Sequence, residues 1–356
     1  MSENTAPEGA KRGLSRRAVL ATTGAASVLG ALTLAGCTSE KAAVASDKPA
    51  GNNASGPQKG KKVVMVVHDT NPFFAPVKAG FEAFAAAAGW TAQWVEPKSG
   101  AIPDVVAAQQ NAIASKPDGI IITRIDPTAF DDNIKKAKAD GISVVLSNVA
   151  SEGYKALGVG FVGQEFVAAG NVCGQEIAKY AATKLGRKDG IIVCGNGAPG
   201  NSALEARIEG TKQGVAAYNK ANGTNFEAQT FVSAFDANEA IGKISAKYTA
   251  DGDKIAGWAM SAFDHQFVAE WAQQKNLVNK FAIGGFDLIK PVLDLIEKGE
   301  IDFSLGQNPY AQGWIAASLL AMEIDPGYPA YDYDTGAEVV DKSNIAAVQK
   351  REAVFA

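Results

Sequence analysis

An α/β protein of two similar halves, each a doubly wound parallel sheet flanked by helices, is the fold this chain predicts. Three observations carry that prediction. Apolar runs without alternation recur, the first being Val63-Val64-Met65-Val66-Val67, and such runs read as strands buried on both faces. Segments with helical spacing separate them. The strand–helix rhythm then restarts after Gly158-Val159-Gly160-Phe161-Val162-Gly163, giving two halves of similar size with no short-period repeat. Two such halves imply two domains facing each other across a crevice, the natural place for a ligand.

The elements follow in order. Strand Val63–Val67 is followed by Asn71-Pro72-Phe73-Phe74, where Asn71 suits an N-cap and Pro72 suits a first helical position. The helix, with Val77, Phe81 and Phe84 at helical spacing, ends at Gly89. Trp90–Val95 and the buried run Gly119–Thr123 read as strands, with helices over 104–115 and 128–140; Ile142–Leu146 is the next strand. The second half reads as helix 165–185, strand Gly190–Cys194, helix 202–219, strand Phe226–Ser233 and helix 238–248. Strands near Ile255–Ala259 and Phe281–Gly284 follow, each with a helix behind it. Two adjacent aromatics in the first helical turn point in different directions. Phe73 and Phe74 are therefore either both core or partly a wall of the crevice above the sheet, where open α/β sheets bind ligands.

The N-terminus carries an address. Ser15-Arg16-Arg17-Ala18-Val19-Leu20 is a twin-arginine pair leading into an uncharged, Ala- and Leu-rich segment, a pattern that reads as an export signal. The segment ends in Leu34-Ala35-Gly36-Cys37, which resembles the lipobox of bacterial lipoproteins, in which the Cys is lipidated and becomes the first mature residue. Residues 1–37 are thus expected to be a signal peptide and Cys37 a lipid attachment site on the outer face of the cytoplasmic membrane. An uncleaved span competes poorly, because the run is barely long enough and is dotted with Gly and Thr. Residues 38–61 are rich in Ala, Ser, Gly, Lys and Asn, bury almost no large apolar side chain, and read as a flexible tether.

Composition excludes several classes. The 356 residues carry a net charge of -4, so nothing argues electrostatically for nucleic acid. The 2 His and 3 Cys are scattered without zinc spacing, and no metal or cofactor is expected. Cys173 and Cys194 fall in a helix and the strand it feeds, so they could pair; buried free thiols are the commoner outcome for a chain that folds before twin-arginine export. Gly195-Asn196-Gly197-Ala198-Pro199-Gly200 has the spacing of a dinucleotide-binding turn. It lacks the acidic strand-end residue about twenty positions on, and Pro199 would sit inside the phosphate-binding turn. No Gly-x-Ser-x-Gly elbow is present either, and no enzyme is expected.

Four segments, His68-Asp69-Thr70-Asn71-Pro72-Phe73-Phe74, Ile125-Asp126-Pro127-Thr128, Gly284-Gly285-Phe286-Asp287 and Val339-Val340-Asp341-Lys342-Ser343-Asn344, stand in order along the chain. Together they resemble the signature positions of the ribose-binding-protein-like family, type I periplasmic binding proteins that feed sugar ABC importers. The resemblance spans roughly residues 62–350. It implies three crossings between domains, with 62–162 plus 308–331 in the first lobe and 163–307 plus 332–356 in the second. It also implies a monomer that presents its ligand to a membrane permease, or alternatively to a membrane signalling protein. LacI-type repressors share the fold core, but they carry a basic helix-turn-helix where this chain has an export signal.

A sugar needs paired donors and acceptors for its hydroxyls and aromatic faces for its C–H surfaces. The resemblance places Asn71, Phe73, Phe74 and Asp126 at the site from the first lobe, and Arg207, Phe235, Asp287 and Gln307 from the second. Each carboxylate has a competing role as a helix cap, and Asp264 is read as a cap outright. Two positions depart from the ribose pattern: Asn148-Val149 stands where an Asp-Arg pair is expected, and Phe263 where an Asn is expected. The pocket is thus less charged and more aromatic than a ribose cage, which suits a deoxysugar, polyol, cyclitol or other small polar solute. Arg124 either compensates for the lost charge or pairs with Asp126.

Overall fold

The computed structural model describes residues 56–355; the expected signal peptide, Cys37 and most of the expected tether lie outside them. The first lobe is a six-stranded sheet. Its strands are β1 (Lys62–Val66), β2 (Thr91–Val95), β3 (Gly119–Arg124), β4 (Ser143–Ala150), β5 (Gly160–Gly163) and β11 (Tyr333–Asp334), in the order β11-β5-β4-β3-β1-β2. Helices α1 (Phe74–Ala88), α2 (Ile102–Ala114), α3 (Asp131–Ala139) and α9 (Pro309–Ile324) cover it. The second lobe orders β12 (Glu338–Asp341), β10 (Phe303–Gly306), β9 (Ala282–Phe286), β8 (Ile255–Met260), β6 (Asp189–Asn196) and β7 (Asn225–Val232). Its helices are α4 (Phe166–Thr183), α5 (Ser202–Asn222), α6 (Ala237–Asp251), α7 (His265–Gln274), α8 (Lys290–Lys298) and α10 (Ile345–Glu352).

All strand pairs are parallel except β10–β12, which is antiparallel at the sheet edge. The unalternated apolar runs are central strands: Ile120, Ile121 and Ile122 of β3 are fully buried, as the absence of alternation requires. The second lobe's core is built around Trp258, Trp271 and Phe281, with the last two rings stacked.

The chain crosses between lobes at 164–165, at 307–308 and between Asp334 and Glu338. The third crossing is later than expected, because Tyr333 and Asp334 pair with Val162 and Gly163 at the edge of the first sheet. The folded body also begins before Lys62. Gln58 O accepts from the Trp90 indole at 2.7 Å and Gly60 N donates to Gly89 O, which pins the last residues of the expected tether to the first lobe. Cys173 and Cys194 are free and buried, with no disulfide.

One packing feature matters for the site. Helices α4 and α5 touch backbone to backbone, since a Cβ at Gly170 would collide with the Arg207 carbonyl and one at Gly210 with that of Val167. Only glycine permits this approach, and it sets Arg207 directly against the helix that follows the first crossing.

Candidate functional site

On the first lobe, β1 delivers the chain to a tight turn before α1. Asn71 Oδ1 accepts from Phe73 N at 3.0 Å and its amide donates to Asp69 at 2.9 Å, so the helix starts at Phe74 rather than at Pro72. Phe73 and Phe74 meet edge to face at 5.1 Å, and His68 meets Phe74 at 5.3 Å. Both Phe side chains belong to the lobe's core, yet Phe73 also lines the cleft. Burial holds His68 neutral and lowers its pKa to about 4.

Asp126 ends the extension of β3. Its Oδ1 accepts from the backbone N–H groups of Thr128 and Ala129, both at 2.8 Å, and these bonds hold its carboxyl below the ordinary range. One carboxylate oxygen is thus committed to a turn, and that turn delays α3 to Asp131. Arg124 does not pair with Asp126. It is fully buried, donates from Nε to Asp131 at 2.9 Å, and bonds the carbonyls of Pro127, Ser151 and Glu152, tying together the loops behind the site. Asn148 lies at the end of β4 with φ of 66°, its amide donating to Gln312 Oε1 at 2.9 Å.

The second lobe is organised around Arg207 and Asp287. Arg207, 4% exposed, donates from Nε and Nη2 to Gln164 Oε1 at 3.1 and 2.8 Å and from Nη1 to Ser261 O at 3.0 Å. Its guanidinium lies over the Phe286 ring at 4.2 Å, a contact worth about 1 kcal/mol or more when desolvated. Asp287, also buried, has φ of 73° and accepts from Gln307 Nε2 at 2.7 Å. Burial raises the Asp287 pKa and lowers that of Arg207, and each charge opposes the shift of the other. Phe235 and Phe263 stack at 5.0 Å, forming an aromatic slab between the ends of β7 and β8.

Asp264 departs from its expected role as a cap. It is fully buried, makes no cap hydrogen bond to α7, and neither carboxylate oxygen has a hydrogen-bond partner. Burial pushes its pKa up to about 7, and the nearby Asp287 charge adds to the shift, so the carboxyl keeps its proton at acidic pH.

The lobes touch away from the crossings. Ser151 Oγ and Ser202 Oγ are 2.7 Å apart, and Ala203 of the second lobe is buried against Ile125, Phe130 and Val149 of the first. Between the lobes lies a cleft of about 470 Å³ whose lining includes Phe73, Asp287 and Gln307. A side-chain chain runs behind it from Asn148 through Gln312 and Gln307 to Asp287. The structure therefore places Phe73, Asp287 and Gln307 on the cleft, ties Asn148 to them by hydrogen bonds and sets Arg207 within charge range of Asp287; the Phe235–Phe263 pair stands by itself at the second lobe's strand ends. Asn71 and Asp126 hydrogen-bond only within their own loops. Gln164 and Gln312 were not singled out in the sequence. Gln164 could have been found from its place immediately after Gly163, where the first crossing is expected; Gln312 has no comparable signal.

The family model for the periplasmic binding protein domain matches residues 62–328. The xylose/arabinose-binding protein XylF of Sulfolobus acidocaldarius is 24% identical over 300 residues, covering 80% of this chain and 72% of that protein. A carbohydrate transporter protein from Acidothermus cellulolyticus, solved with myo-inositol, aligns with a TM-score of 0.70 and 27% identity, covering 83% of this chain and 99% of that one. An ABC transporter solute-binding protein from Burkholderia graminis, solved with D-arabinose, aligns at 0.72 and 24% identity over 81% of this chain and 98% of that one.

Proposed function

Because this chain belongs to the periplasmic binding protein domain family, we propose that it is an extracytoplasmic, lipid-anchored receptor that closes its two lobes on a sugar-like ligand and presents it to an ABC permease. Members of that family bind substrates for transport and are not enzymes. The observation that carries the reading is the cleft between the lobes, lined by Asp287 and Gln307 on one side and Phe73 on the other, with the buried Arg207 within charge range of Asp287. Closure desolvates a polyol's hydroxyls only where each finds a partner, so a wrong ligand leaves buried groups unpaired and is rejected.

The ligand class favoured by the site is a cyclitol, polyol or deoxysugar ahead of ribose. Asn148 is already engaged by Gln312, and the position at Phe263 is an aromatic face rather than an amide. The relative solved with myo-inositol supports this direction, and the relatives solved with D-arabinose or named for xylose and arabinose keep a pentose other than ribose among the candidates. Attachment to the membrane rests on the lipobox-like Leu34-Ala35-Gly36-Cys37.

A thermal-shift screen of the purified protein against pentoses, hexoses, deoxysugars, polyols and cyclitols tests the ligand class, since a ligand at a hundred times its Kd adds about 2.7 kcal/mol to stability. A shift with cyclitols or polyols is expected; a shift produced only by nucleotides would overturn the reading. Cys37→Ser is expected to release the protein from the membrane fraction, and tight attachment of that variant would refute the lipid anchor.

A further inference from the structure

Gln164 stands in the first crossing, between β5 and α4, and is 1% exposed. Its amide is used on both sides. Oε1 accepts from Nε and Nη2 of Arg207 at 3.1 and 2.8 Å. Nε2 donates to Gly336 O in the third crossing at 2.9 Å and reaches Gly306 O, the last residue before the second crossing, at 3.5 Å. One side chain thus stands in the first connection, bonds the third, reaches the residue that leads into the second, and holds the guanidinium of the site.

We propose that Gln164 is a positioning residue that couples Arg207 to the hinge, so that the guanidinium is fully aimed only when the three crossings are in their closed arrangement. This inference rests on the reading of the protein as a receptor whose lobes close on a ligand. The physical basis is the limited capacity of a primary amide: two donors and two acceptor positions, here all engaged. Lobe opening changes backbone dihedrals at the crossings. Any change that moves Gly306 or Gly336 relative to Gly163 must break a buried donor contact or drag the amide, and with it Arg207.

Arg207 has no other side-chain hydrogen-bond partner. Its remaining hydrogen bond is to the Ser261 carbonyl, which together with Gln164 engages three of the five N–H groups a guanidinium carries, while the Phe286 ring lies under the fork. The free N–H groups are directed by whatever holds the fork. Arg207 sits beside Asp287, whose own position is set by Gln307 of the second crossing. Each of the first two crossings therefore contributes a glutamine that holds one charged residue of the grip; Gln164 also ties the first crossing to the third, while Gln312 bridges Gln307 and Thr335 without touching Arg207.

Two substitutions separate the two halves of the role. Gln164→Glu keeps acceptors for Arg207 but cannot donate to the Gly306 and Gly336 carbonyls, whereas Gln164→Leu removes both. The experiment uses the full chain in a Cys37→Ser background, with single dye labels at exposed Lys135 of the first lobe and Lys220 of the second, each replaced by Cys; Cys173 and Cys194 are buried. Interlobe energy transfer is read without ligand, and titrations use myo-inositol and D-arabinose. Circular dichroism and melting confirm that each variant folds.

In the ligand-free protein, both substitutions are expected to shift the distribution toward longer interlobe distances. Gln164→Leu combined with Arg207→Leu should shift it no further than Gln164→Leu alone. Apparent Kd should rise about tenfold or less in Gln164→Glu and about a hundredfold in Gln164→Leu, because the competent population is reduced and, in the second, the fork is freed. Unchanged interlobe distributions in folded variants would overturn the coupling, as would additive effects of the Gln164 and Arg207 substitutions, since a merely structural glutamine lowers the melting temperature without either signature. If the unsubstituted protein binds neither probe, the ligand reading fails while the ligand-free distances still decide the hinge role.

Discussion

The two lobes meet the cleft with opposite chemistry. On the first, the candidate site groups are mostly engaged locally: Asn71 by Phe73 and Asp69, one oxygen of Asp126 by its own turn, and Arg124 by Asp131 and three carbonyls, although His68 Nδ1 and Thr123 Oγ1 are buried without partners. On the second, titratable groups are buried and only partly paired: Arg207 retains spare N–H groups, Asp287 has one oxygen bonded to Gln307, and Asp264 has none bonded. A buried polar group left short of partners costs free energy, which a ligand hydroxyl can relieve. The first lobe thus acts as a preformed wall and the second as the grip that a ligand completes.

That contrast can be broken by substitution, and the largest effect belongs to the grip. Arg207→Ala or Asp287→Ala is expected to weaken binding about a hundredfold or more, since removing one member of a buried charged pair costs about 2–5 kcal/mol. Calorimetry showing wild-type affinity in both variants would dissolve the distinction between the lobes.

Asp264 gives the next effect, in stability rather than affinity. Its pKa is raised by burial from 3.8 to about 7. Between about pH 4 and pH 7 the folded state holds a proton that the unfolded chain has released, so this residue makes stability fall as pH rises through that window. Asp264→Asn should therefore exceed the wild type by on the order of 4 kcal/mol at pH 8 and match it near pH 4 in urea unfolding. His68 and His265, both lowered to about 4 by burial, act in the opposite sense and lose stability as pH falls below about 6.5. They are common to both proteins and cancel in the difference. A pH-independent difference would mean that Asp264 is ionised throughout.

Phe235→Ala removes half of the aromatic slab. About tenfold weaker binding is expected, because a stacked aromatic contributes about 0.5–1.5 kcal/mol beyond its buried area; no change would place the slab outside the ligand's reach. The smallest effect on binding falls on the wall. Asp126→Asn should cost about 1 kcal/mol of stability through its turn and change affinity less than about threefold. A larger loss of affinity would show that the unbonded Asp126 oxygen reaches the ligand and that the first lobe also grips.

Legibility in the sequence follows the range of the interactions. Strands such as Gly119–Thr123 and Val63–Val67 were readable because burial on both faces leaves a mark in neighbouring residues. The residue types at strand ends were readable as a set, and Arg207 and Asp287 are buried within charge range of one another. The loops were less so. The turns at Asn71 and Asp126 delay α1 and α3, because side-chain oxygens satisfy the backbone N–H groups that a longer helix would have used. Asp264 shows the same limit from the other side: its place before a helix suggests a cap, but only the direction of the buried carboxyl decides whether a bond forms.

By itself, the sequence determined the α/β class, the two halves, the strand order along the chain and the residue types available at the strand ends, since periodicity and local propensity act over a few residues. Tertiary structure alone decided which of those polar groups are already spent, where the third crossing falls, and which partners Gln164 and Gln312 hold. Hydrogen bonds between residues 164 and 207, 306 or 336 exist only once three distant segments are brought to one hinge, and that juxtaposition leaves no trace in the neighbours of any one of them.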